Sequence, residues 1–141
     1  MSLFDSSPWS DRVLSILRIA ATAVFITAGT TKWFGWPPSP QPMPPIELMS
    51  QIGIGAMLEV IGGVLILLGL FTRPVAFILS GEMAVAYFQF HYQMGKASFF
   101  PTINQGIPAI LYCFLFLYMA FAGGGAWSID RMIARRRSMT R

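Results

Sequence analysis

Charge is what this chain has least of. Only 11% of its 141 residues are charged, where a soluble domain carries about 25%. Hydrophobic residues make up 55%, and mean hydropathy is +0.59. An ordinary water-soluble globule is excluded on those grounds. Cysteine is nearly absent as well. Cys113 stands alone inside an apolar run, so neither an intramolecular disulfide nor a dithiol redox pair is available. His91 is the single histidine, and no His, Cys, Asp and Glu cluster has metal-ligand spacing, so no metal site is expected. A glycine-rich phosphate loop, a nucleophile triad and an internal repeat are missing too. Net charge is +4, yet six of the ten Lys and Arg lie at Arg12 and within 131–141, outside the apolar stretches. That distribution speaks for membrane topology and lipid headgroups and against nucleic acid. No basic segment precedes the first apolar run and no small-residue cleavage site follows it, so a signal peptide is not expected.

What is present is a series of long apolar runs, and they predict an all-α membrane protein. The chain reads as one membrane domain, a four-helix bundle with spans at 13–34, 52–71, 74–93 and 106–122, followed by a short amphipathic helix. The span at 52–71 organises the rest. At about 1.5 Å per residue it crosses roughly 30 Å, the thickness of a bilayer's hydrocarbon core. It holds a single charge, Glu59. Gly55, Gly62 and Gly69 share a face with that carboxylate, and small residues there admit a close neighbouring helix, in the same subunit or in another. The first span is less apolar, with Arg18, Thr22, Gly29 and Lys32 forming a polar stripe that must face protein. Before it, Ser7 and Pro8 resemble a helix start. The third span carries Glu82, Gln89 and Gln93 on one face and Ser80, Tyr87 and His91 on the other. The fourth tolerates Pro108 in its first turn.

Between the spans, residues 35–50 form a loop dominated by six prolines within 36–45, which favours extended, polyproline-like backbone. Residues 95–105 form a second loop. Residues 123–141 form a basic tail whose Ile129, Met132 and Ile133 can lie on the bilayer surface while its arginines meet headgroups. Four spans place both termini and the Thr72 and Arg73 turn on one side, together with eight of the ten basic residues. Lys32 and Lys96 fall on the other. The positive-inside rule then assigns cytoplasmic termini in a bacterial inner membrane.

Helix rise and the tilt of Cβ bonds bring the buried charges to matching depths. Two interhelical pairs are expected, Lys32 with Glu59 near the outer face and Arg18 with Glu82 near the inner. They either fix helix register or serve function, since intramembrane carboxylates are functional candidates by default. Glu59, Tyr87 and His91, beside Trp33 and Trp36, are candidate residues for holding a flat redox head group such as quinone. The alternative for His91 is an interfacial residue at a helix end. Cys113 is read as packing, and the nine methionines as gap-fillers in helix contacts.

With those residues in view, the chain resembles the DoxX family over nearly all its length. LRIA at 17–20 with Gly29 and Lys32 is similar to that family's first-helix pattern. LEVIGG at 58–63, continued by LGLFTR at 68–73, resembles its most characteristic stretch. EMAVAY at 82–87 and GAWSID at 125–130 fit as well. Asn104 before a glycine, then LYCFLFLY at 111–118, resembles one branch. Relatives in that branch carry a glutamate just after the Asn-x-Gly, where this chain has Ile107 and Pro108. The resemblance implies a four-helix inner-membrane protein, and some members are named as subunits of quinone-linked oxidoreductases. Three functions follow as expectations: a quinone-linked redox subunit acting with a partner protein, a non-catalytic membrane scaffold or assembly factor, and a small proton-coupled carrier of a lipid-like molecule.

Overall fold

The computed structural model describes residues 8–40, 43, 45–93 and 98–140. The capping role expected of Ser7, the charges of Lys96 and Arg141, and the start of the second loop lie outside those residues. The described chain is all helical and contains no strand. Its helices are α1 (Pro8–Phe34), α2 (Gln51–Leu68), α3 (Thr72–Ala86) continued by a π-helix (Tyr87–Gln93), α4 (Pro101–Asn104), α5 (Ile107–Ala122) and α6 (Ile129–Met139). Both α1 and α2 are long and apolar enough to cross a membrane, and α5 is a shorter apolar helix. The contacts divide the chain into two compact units, Met1–Thr72 with Gly123–Arg141, and Arg73–Ala122.

The first unit is built on α1 against α2. Leu14, Ser15, Arg18, Thr22, Phe25 and Gly29 are the buried residues of α1, recurring at helical spacing along one stripe. Gly53, Ala56, Glu59, Gly62, Gly63 and Ile66 are those of α2. Gly29 and Gly63 let the two helices approach. A Cβ on Gly29 would stand 2.7 Å from Val60 Cγ2, and one on Gly63 would stand 2.5 Å from Ile26 Cγ1. Of the glycine face expected at Gly55, Gly62 and Gly69, Gly62 is buried on α2 together with Glu59. The α1 contact uses Gly63, and Gly69 lies beyond the last turn of α2.

Helix α2 begins at Ser50, whose Oγ accepts from Gly53 N at 3.0 Å and so satisfies one of the orphan donors of the first turn. It ends three residues earlier than hydropathy suggests. Gly69 adopts a left-handed φ of 69°, its N–H donates to Ile66 O, and Leu70 N donates to Leu65 O, each at 2.9 Å. This 5→2 and 6→1 pair is the Schellman arrangement, which glycine enters without a Cβ penalty. Hydrophobicity runs on through Leu70 and Phe71, but the backbone has already turned.

The 124–130 segment returns to this turn. Ala126 N donates to Asp11 O at 3.1 Å, Trp127 N to Ser15 Oγ at 3.0 Å and Asp130 N to Gly69 O at 2.9 Å. The Asp130 carboxylate accepts from Phe71 N and Thr72 N, both at 2.8 Å, placing a negative charge on the first donors of α3. Ser128 caps α6 by accepting from Arg131 N. No room remains beside Gly69, where an added Cβ would be 2.5 Å from Ser128 Cβ.

In the second unit Ala76, Leu79, Ser80, Met83 and Tyr87 form the buried stripe of α3 and its π-helical continuation. Ser80 Oγ donates to Cys113 O on α5 at 2.8 Å. The end of the expected third span is therefore wound more widely than an α-helix, a feature frequent at functional sites. Within the expected 95–105 loop the structure has the single turn α4.

Replacing Gly69 by Ala is expected to cost about 1–2 kcal/mol from the left-handed backbone alone, with displacement of Ser128 in addition. Gly81, which has nothing within 4 Å of an added Cβ, is the control. Thermal unfolding in mild detergent should show a clear loss for Gly69→Ala and none for Gly81→Ala.

Candidate functional site

Two ends of the α1–α2 pair carry charge, and they are organised in opposite ways. At the C-terminal end of α1, Lys32 Nζ donates to Glu59 Oε1 at 2.6 Å. The lysine side chain is 32% exposed and the glutamate 5%. Spacing explains the meeting. Lys32 follows Gly29 by one turn, and the Gly29 Cβ position is 3.0 Å from Glu59 Cβ, so the backbones are close where the long lysine reaches across. The second carboxylate oxygen, Glu59 Oε2, is buried with no hydrogen-bond partner among the described residues. An orphaned buried oxygen is uncommon, because its desolvation is uncompensated.

On the same helix pair a groove of about 260 Å³ opens, lined by Trp33, Phe34, Met57, Val60 and Ile61, with neither Lys32 nor Glu59 in its lining. Lys32 and Glu59 are the chain neighbours of Trp33 and Val60. The Trp33 indole donates to Gly53 O at 3.3 Å, which pins the ring at the junction of α1 and α2. Trp36 is 70% exposed on the loop that follows.

At the opposite end Arg18 is fully buried. Its Nε donates to Gly124 O at 2.8 Å, one terminal nitrogen to Ile66 O at 2.6 Å and to Leu67 O, and the other to Trp127 O at 2.8 Å. Two of these carbonyls belong to the last turn of α2, where Ile66 O also accepts from Gly69 N, and two to the returning 124–127 segment. A cation at a helix C-terminus also meets the negative end of its dipole. The nearby carboxylate whose field reaches Arg18 is Asp130. Glu82, the partner expected from depth, belongs to the second unit. On the rim, Arg131 is paired with Asp11.

Tyr87 and His91 also belong to the second unit, where they are tied to one buried residue, Asn104. Tyr87 donates to Phe99 O, and Asn104 Nδ2 lies 3.4 Å from the Tyr87 hydroxyl. Asn104 Nδ2 donates to Ser98 O at 2.8 Å, and its Oδ1 accepts from Gly106 N at 2.8 Å. His91 Nδ1 is 3.1 Å from Asn104 O. A carbonyl only accepts, so Nδ1 is the donor in this arrangement. The candidate quinone residues are thus divided, with Trp33, Trp36 and Glu59 in one unit and Tyr87 and His91 in the other.

Residue-by-residue reading missed three features: the carbonyl cradle of Arg18, the cap that Asp130 places on α3, and the role of Asn104. The available signals were Asn-x-Gly, which favours a side chain folding back on its own backbone, and the Ser-Ile-Asp sequence at the start of α6. Among the described residues no group of three or more His, Cys, Asp or Glu is placed to hold a metal ion.

Glu59→Gln leaves the Lys32 ammonium without its counter-charge. Since that lysine is only partly buried, the expected cost is about 2 kcal/mol, below that of a fully buried pair. Arg18→Lys keeps the charge but loses the planar fork that reaches four carbonyls. Detergent melting curves should place Arg18→Lys well below Glu59→Gln in stability, and the reverse order would remove the cradle as the dominant anchor.

Comparison with known proteins agrees with this picture. The DoxX family profile matches residues 13–92, covering most of α1, all of α2 and α3, and most of the π-helix. An uncharacterized protein of Haemophilus influenzae is 40% identical over 123 residues, 87% of this chain and 92% of its own length. The Escherichia coli inner membrane protein YphA is 31% identical, over 91% of this chain and 95% of its own. The inner membrane protein YqjF of the same organism is 28% identical, over 86% and 92%. No solved structure matches. With the family profile on α1 to α3 and relatives aligned along almost the whole chain, the protein belongs to the DoxX family of membrane proteins.

Proposed function

We propose that the chain crosses the bacterial inner membrane four times as a helical bundle, with α1, α2, α3 with its π-helical continuation, and α5 as spans and both termini cytoplasmic. Within that membrane it binds quinone beside Glu59 and acts as the membrane subunit of a redox partner. The carrying observation is the orphaned Glu59 Oε2 on a helix pair that also carries an apolar groove, lined by Glu59's chain neighbour Val60. A quinone has hydrogen-bonding oxygens on a flat ring and a long apolar tail. Glu59 Oε2 suits a hydroxyl donor of the reduced ring, Lys32 a carbonyl of the oxidised one, and the Trp33 and Phe34 groove the apolar part. When bound, such a group accepts and returns electrons and protons. The chain's own residues would orient it, exclude water and hold a proton at the Glu59 carboxylate. Electrons must come from the partner, because a lone Cys113 cannot cycle as a dithiol.

A second reading has its own observation. Every nitrogen of Arg18 donates to backbone, and Asp130 is taken up by backbone N–H groups, so much of the buried charge holds the fold together. A protein whose Glu59 serves the same purpose is a scaffold or assembly factor. Mass spectrometry of organic extracts from protein purified in mild detergent separates the two. Quinone near one per chain, lost in Glu59→Gln protein that still elutes as a folded species, is the expected result. Folded wild-type protein free of quinone overturns the redox reading and leaves the scaffold.

A further inference from the structure

We propose that α6 is a binding surface for anionic phospholipid, with Met132 and Ile133 embedded at the membrane surface and Arg135, Arg136 and Arg137 on lipid phosphates. The inference rests on the membrane-spanning reading of α1 and α2 but not on quinone. Three observations carry it.

The first is position. The start of α6 is fastened to the ends of the two spans. Asp130 bonds the Gly69, Phe71 and Thr72 backbone after α2, and Arg131 is paired with Asp11 in the first turn of α1. Trp127, 55% exposed, immediately precedes α6, and Trp9, under the Arg12 guanidinium at 5.0 Å, opens α1. Indoles settle at the headgroup level of a bilayer. A helix tied to that level by its first turn has the interface as its surroundings.

The second is the apolar side. None of the α6 residues is buried, and Met132, Ile133 and Met139 are among the exposed large hydrophobic residues. At about 100° per residue they share roughly 120° of the helix surface. On a helix facing water alone, these side chains would be unfavourably placed; at an interface they enter the acyl boundary.

The third is charge. Asp11 is engaged by Arg131 and Asp130 by the backbone. Among the described residues, Arg135, Arg136 and Arg137 have no carboxylate partner. Arg135 and Arg137 border the apolar sector on either side and Arg136 falls within it, and each long side chain can rise to a phosphate while its methylenes cover apolar surface. Guanidinium groups pair with phosphate in bidentate fashion. An acidic protein would satisfy the charges but would not call for an apolar sector at headgroup depth.

The test uses full-length protein carrying Cys113→Ala and one spin-labelled cysteine at a time, at Met132, Ile133 or Ser138. The protein is reconstituted in phosphatidylcholine with or without phosphatidylglycerol, and resistance to carbonate extraction is checked first. With phosphatidylglycerol, labels at 132 and 133 should collide with oxygen in preference to a water-soluble nickel chelate, while the label at 138 stays water-accessible. Each arginine favours an anionic surface by roughly fivefold. Combined Arg135→Gln, Arg136→Gln and Arg137→Gln changes, or high salt, should therefore return 132 and 133 toward water. Labels at 132 and 133 that remain as water-exposed as 138 overturn the proposal. So does protection that persists in the triple variant, which would indicate a protein contact. Release by carbonate overturns the spanning reading itself, and the two failures are thereby distinct.

Discussion

A single buried guanidinium holds the first unit together. Arg18 lies in an apolar helix, where an uncompensated charge is prohibitively costly. The structure meets that cost with backbone carbonyls drawn from three places: the last turn of α2, Gly124 and Trp127. Each of those carbonyls gains a charged donor from the arginine, and Ile66 O accepts from Gly69 N as well. The arrangement is reciprocal, and it explains the sharpness of the neighbouring turn. Gly69 has to be left-handed, Ser128 has to be small, and the tail has to come back to this place for the four acceptors to converge on one planar fork.

The Lys32–Glu59 end follows a different logic. There one ion pair joins the helices, one of its members reaches solvent, and one carboxylate oxygen has no hydrogen-bond partner among the described residues. Arg18 is satisfied completely at one end of the helix pair, whereas the buried Glu59 carboxylate is half satisfied at the other. Stability arguments account for Arg18 without remainder. They do not account for Glu59 Oε2, which like the Thr22 and Thr72 hydroxyls has no hydrogen-bond partner among the described residues.

The DoxX resemblance gains physical content from these contacts. LRIA supplies the buried arginine, LGLFTR supplies the Schellman turn and the donors capped by Asp130, and GAWSID supplies the returning strap. Those three stretches are far apart in the chain and meet around one side chain. The Asn-x-Gly at 104–106 serves a similar purpose in the second unit, where Asn104 gathers Ser98, Tyr87 and Gly106. Local motifs that look weak one at a time are parts of two polar clusters.

Sequence by itself determined the helical class, the apolar segments within a few residues, the polar stripe on α1, and the reach of Lys32 to Glu59. These depend on periodicity and on depth along a helix, and both can be counted along the chain. It did not determine where α2 stops, because Leu70 and Phe71 are as apolar as the helix before them and the stop is made by backbone geometry at Gly69. Nor did it determine what Arg18 meets. A charge search pairs arginine with a carboxylate, whereas here the acceptors are main-chain oxygens that no residue name reveals. Tertiary structure decided that, by bringing the end of one helix and a returning loop to within hydrogen-bond distance of a side chain from another.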